Sequence, residues 1–173
     1  IKGTAKLGGK NAVVVATAEG KEERHEAKKA VVISTGSRVK GLPQVGLELN
    51  KTTVMSSDEA LILEKAPKRM AIVGAGAVGC EFADVFNAFG SQVTLLEVMP
   101  QILPLEDAEA SQVVARSFTK RKIDVRTGAK LGNVKVGKNS VKMTIETGGK
   151  TEDMEFDVVL VAAGRAPVTD GLG

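Results

Sequence analysis

Apolar residues fall in short runs along this chain, and the runs change character near residue 68. Upstream, Ala12-Val13-Val14-Val15-Ala16 and Ala30-Val31-Val32-Ile33-Ser34 each read as a short β-strand, with Arg24 to Lys28 as a third between them. Gly8-Gly9 and Glu19-Gly20-Lys21 supply turns, so residues 1–36 are expected to form a small antiparallel meander. Residues 37–55 hold Pro43, several glycines and few periodic apolar positions, and read as linker. Ser56 with Glu59 three residues on makes a capping box, which predicts a helix over about 57–64 that ends before Pro67.

From residue 68 strands and helices alternate. Met70-Ala71-Ile72-Val73 reads as a buried strand that runs into Gly74-Ala75-Gly76-Ala77-Val78-Gly79. A helix over about 77–89 follows, with Phe82, Phe86 and Phe89 at i, i+4 and i+7 as a core stripe, and Gly90 closes it. Residues 91–97 form a second strand that ends on an acid, Glu97. After a loop with Pro100 and Pro104, the acids Glu106, Asp107 and Glu109 open a helix over about 106–121, and Lys120-Arg121-Lys122 sits at its far end, as the helix dipole prefers. Residues 123–126 read as a third parallel strand, and the runs 131–136, 140–147 and 151–156 as a second meander. Asp157 to Ala163 is a further buried strand, ending in Gly164-Arg165-Ala166-Pro167. The predicted class is α/β: a parallel sheet with helices and an inserted β-meander, preceded by a short antiparallel meander.

The strand–glycine turn–helix–strand unit at 70–97 has the pattern of a dinucleotide-binding βαβ unit. Gly74 permits a tight turn, Gly76 lets a pyrophosphate approach the backbone, and Gly79 lets the helix pack closely on the strand. Free N–H groups at the helix start, including those of Ala77 and Val78, then face the phosphates. Glu97 stands where an acid accepts hydrogen bonds from the adenosine ribose. A 2′-phosphate there would meet a like charge, a mismatch of roughly 1–3 kcal/mol, so NAD is favoured over NADP. On this motif alone FAD stays open, because its adenosine half uses the same unit.

Composition narrows the classes further. The chain has no Trp, no Tyr and five Phe, so the aromatic stacking that grips single-stranded nucleic acid is largely missing. The net charge of +3 comes from basic residues interleaved with acids, as in Lys21-Glu22-Glu23-Arg24-His25-Glu26, which reads as a solvated face; no nucleic-acid partner is expected. Cys80 is the one cysteine, which precludes an internal disulfide and is compatible with a reducing compartment; as a small residue near the helix start it is expected to be buried. No apolar run reaches 18 residues, so no membrane span is expected, and no signal peptide is visible. The chain starts at Ile1 and stops at Gly171-Leu172-Gly173 just past a turn, and reads as a piece of a longer protein.

Taken together, Ile33-Ser34-Thr35-Gly36-Ser37, the glycine turn continuing into Cys80-Glu81, Glu97 followed by Ile102-Leu103-Pro104, and Ala163-Gly164-Arg165-Ala166-Pro167 resemble the pyridine nucleotide–disulfide oxidoreductases. The nearest branch is the one that oxidises dihydrolipoamide. The resemblance covers nearly the whole chain, with the motifs in family order. It implies a Rossmann-like NAD-binding domain over 68–165, with residues 1–36 as the end of the first segment of a split FAD domain. Residues 37–67 become a linker with a short helix, and 166–173 the return to the FAD domain. The implied NAD contacts are Gly74, Gly76, Ala77, Val78, Gly79, Glu81, Glu97, Val98 and Gly164. Glu81 would lie at the nicotinamide–flavin junction and Gly164 beside the nicotinamide, while Thr35 and Gly36 would lie near FAD in the whole protein and Arg165 would bridge back to the FAD domain.

The implied partners are NAD(H), the remaining FAD and interface domains, a second copy in a homodimer, and 2-oxoacid dehydrogenase or glycine cleavage complexes, in the cytoplasm or an organelle matrix. The family's CxxxxC disulfide, its FAD-phosphate glycine motif and its C-terminal domain with a catalytic histidine and acid have no counterpart here. The one histidine, His25, sits in a charged surface run. No catalytic residue and no metal ligand set is therefore expected, and this stretch alone should lack turnover. The rival readings are a soluble transhydrogenase or another NAD-preferring member, and a non-catalytic dinucleotide-binding module. An FAD-only domain is disfavoured, because a meander and linker precede the glycine turn.

Overall fold

The computed structural model describes residues 1–173, which gather into two compact units: residues 1–38 with 166–173, and residues 39–165. In the smaller unit, β1 (Thr4–Leu7), β2 (Ala12–Ala16) and β3 (Glu22–Glu26) form an antiparallel meander in the order β1-β2-β3. The Leu7 N–H donates to the Leu172 carbonyl at 2.6 Å and ties the C-terminal tail to it. The meander is as expected, but its third member is β1 and not the run 30–34, which has no regular structure. An apolar run becomes a strand only where its backbone groups find a neighbouring strand. This run has none, and Val32 and Ile33 are 86% and 52% exposed. The chain leaves this unit through β4 (Ser37–Val39).

The larger unit begins with a 3₁₀ turn at Pro43–Val45, closed by Gly46 in the left-handed region. In chain order come β5 (Val54–Met55), α1 (Ser57–Ala60), β6 (Arg69–Val73), α2 (Ala77–Ala88), β7 (Gln92–Leu96), α3 (Ala108–Lys120) and β8 (Asp124–Arg126). The antiparallel meander β9 (Lys130–Val136), β10 (Val141–Thr147) and β11 (Lys150–Phe156) leads into β12 (Val158–Val161), and the chain exits through β13 (Arg165–Pro167). The sheet is five-stranded and parallel throughout, in the order β5-β12-β6-β7-β8.

Both faces of that sheet are covered, and the period-two alternation of β6 shows how. Met70 and Ile72 face a core built with Ala83 and Phe86 of α2 and Phe118 of α3. Ala71 and Val73 face a second core built with Met143, Ile145 and Phe156 of the meander. A strand with both faces buried needs an unbroken apolar run, which Met70 to Val73 supplies. No helix is long and apolar enough to cross a membrane.

Three local expectations change. The stretch read as linker carries fully buried Leu47 and Val54 and adds β5 to the sheet edge, because Asn50 Oδ1 accepts from the N–H groups of Thr52, Thr53 and Val54 and turns the chain there. The capping box of Ser56 and Glu59 is present, but α1 stops at Ala60, since Leu61 and Ile62 face solvent at 74% and 78% exposure and gain nothing by continuing the helix. Phe86 is buried and Phe82 stacks on it, whereas Phe89 is 72% exposed beyond the last turn of α2.

Two features fasten the elements at the two ends of β6. At the glycine turn, a Cβ on Gly79 would stand 1.8 Å from the Gly74 carbonyl oxygen, a backbone atom that cannot give way. Gly79→Ala is expected to lower the unfolding free energy by about 2 kcal/mol or more in urea titrations. At the other end of β6, the Arg69 guanidinium lies 2.7 Å from Asp157, and the Arg69 backbone N–H donates to the same carboxylate at 2.9 Å. Burial alone would raise the Asp157 pKa, but the hydrogen bonds from Arg69 outweigh it and hold the carboxyl below its usual range. A carboxyl that titrates lower in the native state stabilises fully above its unfolded value near about 3.9, and that contribution fades as pH falls through the native pKa. Asp157→Asn should therefore lower Tm at neutral pH, with the gap to the unsubstituted chain closing in acid.

Candidate functional site

The order of the strands places the site. From β6 the chain steps outward through α2 to β7 and through α3 to β8, then crosses the other face as the meander and returns as β12 on the opposite side of β6. The junction of β6 and β12 is thus a topological switch point, where open α/β sheets hold ligands beyond the carboxyl ends of their strands. A cleft of about 740 Å³ opens there. Its floor is the β6–α2 turn with Gly74 and Gly76, and Leu96, Glu97 and Val98 at the end of β7 form one side. Ala162, Ala163 and Gly164 after β12 form the other, and Val45 with Ala129 to Leu131 covers it.

The glycines of the turn have different reasons to be glycine. Gly74 has φ +102° and sends its N–H to the Leu96 carbonyl at 2.8 Å; a Cβ on it would lie 2.7 Å from the Ala162 oxygen. With Gly79, it is required by packing. Gly76 has φ −71° and ψ −172°, extended values open to any residue, and a Cβ there would meet nothing within 4 Å. The fold makes no demand for glycine at 76. Gly76 also caps α2 without a side-chain hydrogen bond, and the first helical bond runs from Cys80 N–H to Gly76 O at 3.0 Å. The N–H groups of Ala77, Val78 and Gly79 consequently have no carbonyl of the helix to pair with. Ala77 and Val78 line the cleft, so the positive end of the α2 dipole opens into it.

Glu97 is 7% exposed and rigidly held. Its Oε2 accepts the Ala75 N–H at 2.7 Å and its Oε1 the Met99 N–H at 2.9 Å. Its own peptide groups bond Arg126 O at 2.9 Å and Ala129 N–H at 2.8 Å. On the other side of the same turn, the Ala75 carbonyl accepts the Leu103 N–H at 2.7 Å. Leu103 sits at φ +46°, an uncommon conformation for a branched residue, between buried Ile102 and Pro104. Ser111 Oγ donates to Ile102 O at 2.6 Å and pins this segment to α3.

Cys80 is buried as expected, and its thiol also points at Ala75 O, at 3.4 Å. Burial first, and the charge of Glu97 next, push its pKa up to about 11. With its pKa raised in this way, the thiol stays protonated near neutral pH.

Of the residues singled out from sequence, Gly74, Gly76, Ala77, Val78, Glu97, Val98 and Gly164 line this one cleft. Gly79 lies beneath the turn, and Glu81 is exposed on α2 outside the lining. Thr35 and Gly36 belong to the smaller unit, where the Thr35 hydroxyl donates to Val168 O and Gly36 O accepts the Val168 N–H at 3.0 Å. His25 is exposed on β3 beside Glu23. Sequence reasoning missed Val45, Ala129, Lys130, Leu131 and Leu105. A signal for the middle three exists: they come within five residues of the end of parallel strand β8, at the end of the sheet where ligands sit.

The pyridine nucleotide-disulphide oxidoreductase family matches residues 2–173. The dihydrolipoyl dehydrogenase of Chlorobaculum parvum is 40% identical over 173 residues, covering 99% of this chain and 36% of that protein. The dihydrolipoamide dehydrogenase of Chaetomium thermophilum is 40% identical over 176 residues, covering 100% of this chain and 34% of that protein. Among solved structures, LpdA from Mycobacterium tuberculosis superposes with a TM-score of 0.75 at 29% identity, covering 100% of this chain and 36% of that one. The HOCl-induced flavoprotein disulfide reductase of Escherichia coli, as its Cu(II) complex, gives 0.72 at 27% identity, over 99% of this chain and 37% of that one. The chain thus spans about a third of the length of the relatives it matches. With its parallel sheet, its meanders and its sequence agreeing over the full span, the chain belongs to the pyridine nucleotide-disulphide oxidoreductase family.

Proposed function

We propose that this chain supplies the NAD(H) site of a dihydrolipoyl dehydrogenase. The observation that carries the reading is Gly76, a glycine that neither its backbone angles nor its neighbours require, at the mouth of a helix whose N–H groups open into a cleft. A glycine cradle of that kind suits a pyrophosphate lying against the backbone. The cleft then orders the rest of the molecule along neighbouring strand ends. Glu97 after β7 accepts the adenosine ribose hydroxyls, Gly76 to Val78 after β6 hold the phosphates, and Gly164 after β12 lies at the nicotinamide end. Glu97 keeps a free lone pair on each oxygen beyond its two backbone bonds, which is what a ribose diol needs.

In this reading residues 68–165 are the NAD-binding domain, and 1–36 and 166–173 are segments of an FAD domain with Thr35 and Gly36 near the flavin. Glu81 reaches the nicotinamide–flavin junction from the exposed face of α2. The whole protein oxidises dihydrolipoamide and passes a hydride by way of FAD to NAD⁺, as a homodimer serving 2-oxoacid dehydrogenase or glycine cleavage complexes. That redox chemistry belongs to the cofactors. This chain's residues bind and orient the nucleotide, and the 173-residue chain alone turns over no dihydrolipoamide.

Calorimetric titration of the chain tests the reading. NADH should bind at least about tenfold tighter than NADPH, and Glu97→Ala should narrow that gap. Gly76→Ala should weaken NADH at least about tenfold while costing no more than about 1 kcal/mol in unfolding, the loss expected when Ala replaces Gly at an N-cap whose backbone angles it can adopt. Binding of neither nucleotide, or a Gly76→Ala chain that binds NADH unimpaired, would overturn the assignment.

A further inference from the structure

Only two charged residues line the cleft, Glu97 and Lys130. They stand beside one another: the Ala129 N–H donates to the Glu97 carbonyl at 2.8 Å, and Lys130 follows directly as the first residue of β9. The two differ in freedom. Glu97 has each carboxylate oxygen bonded to a backbone N–H and is fixed. Lys130 is 73% exposed, and its ammonium lies 3.4 Å from Glu146 on β10, which is 47% exposed. An ion pair between such exposed groups is worth little, so the ammonium can leave it for another anion at small cost. Val98, which follows Glu97, is 71% exposed and lines the same cleft.

We infer that Lys130 is a second determinant of which nucleotide the cleft takes, acting as the cation for a phosphate on the adenosine 2′ position and opposing the exclusion imposed by Glu97. This rests on the cleft being a nucleotide site. Glu97 repels a 2′-phosphate from a position it cannot leave, and the flexible neighbour across the same opening offsets part of that repulsion. Discrimination against the phosphorylated cofactor is then weaker than Glu97 alone would impose, and Lys130 sets how much weaker.

The test uses the full chain and two probes confined to the adenosine end, 5′-AMP and adenosine 2′,5′-bisphosphate, titrated by calorimetry. The readout is the ratio of their affinities. Lys130→Met should shift the ratio against the bisphosphate by about fivefold, and Lys130→Arg should hold it within about twofold of the unsubstituted chain. The same comparison in a Glu97→Gln background raises bisphosphate affinity while the amide oxygen still accepts the Ala75 N–H, and the loss on Lys130→Met should persist there. If 5′-AMP binds but the ratio moves less than about twofold in both backgrounds, the role of Lys130 is overturned and the nucleotide reading stands. If neither probe binds, both fall.

Discussion

The larger unit depends on the two peptide groups that flank one Cα, that of Ala75. Its N–H is taken by the Glu97 carboxylate and its carbonyl by the Leu103 N–H, so strand β7 and the 99–105 loop grip the glycine turn from two sides. Ala75 is fully buried, and losing the Glu97 carboxylate would strand its N–H away from water, at roughly 1–3 kcal/mol. Through these two peptide groups the acid, the turn, the start of α2 and the buried Ile102 anchor become one hydrogen-bonded body. Glu97 therefore has two duties, one to the fold and one proposed toward a ligand. The strained backbone at Leu103 is held in place by the bonds and burial on either side of it.

Much of the fold was legible because the strong signals agreed with one another. The run from Met70 to Val73, the glycines that follow and the spacing to Glu97 leave little choice but a βαβ unit, and the runs from 131 to 156 pair as a meander in their sequence order. What was not legible depended on partners far away in the chain. Val31 to Ser34 has strong β character and no strand beside it, while Val54–Met55 looks unremarkable and becomes a sheet edge because β12 arrives next to it. Phe89 shows the limit of periodicity: the stripe continues along the helix, but the core beneath it ends at Phe86.

The site divides in the same way. Its glycine turn and acid lie within one local unit and could be read from spacing. Its cover, Val45 and Ala129 to Leu131, comes from segments whose only link to the turn is tertiary. The structure also separates what the motif left merged. Gly74 and Gly79 are explained by packing alone and are no argument for a ligand, whereas Gly76 is unexplained by packing and carries the functional weight. Cys80 was legible as a small buried residue near the helix start, and its depth in the core is what raises its thiol pKa.

The strand order has a consequence for how the cleft comes into being as the chain folds. β6 and β7 are joined by a single helix, and a nascent chain can form that pair early from local contacts. The third wall arrives only with β12, whose entry is fastened by the Arg69–Asp157 pair across 88 residues of sequence. Closing so long a loop is slow and entropically costly, and it is rewarded only once the meander has formed and covered the second face. A chain that has completed β8 holds a glycine turn and an acid but no cleft. The cleft is thus a late product of folding, and any ligand that selects it stabilises the closure of the whole sheet and not the turn it touches.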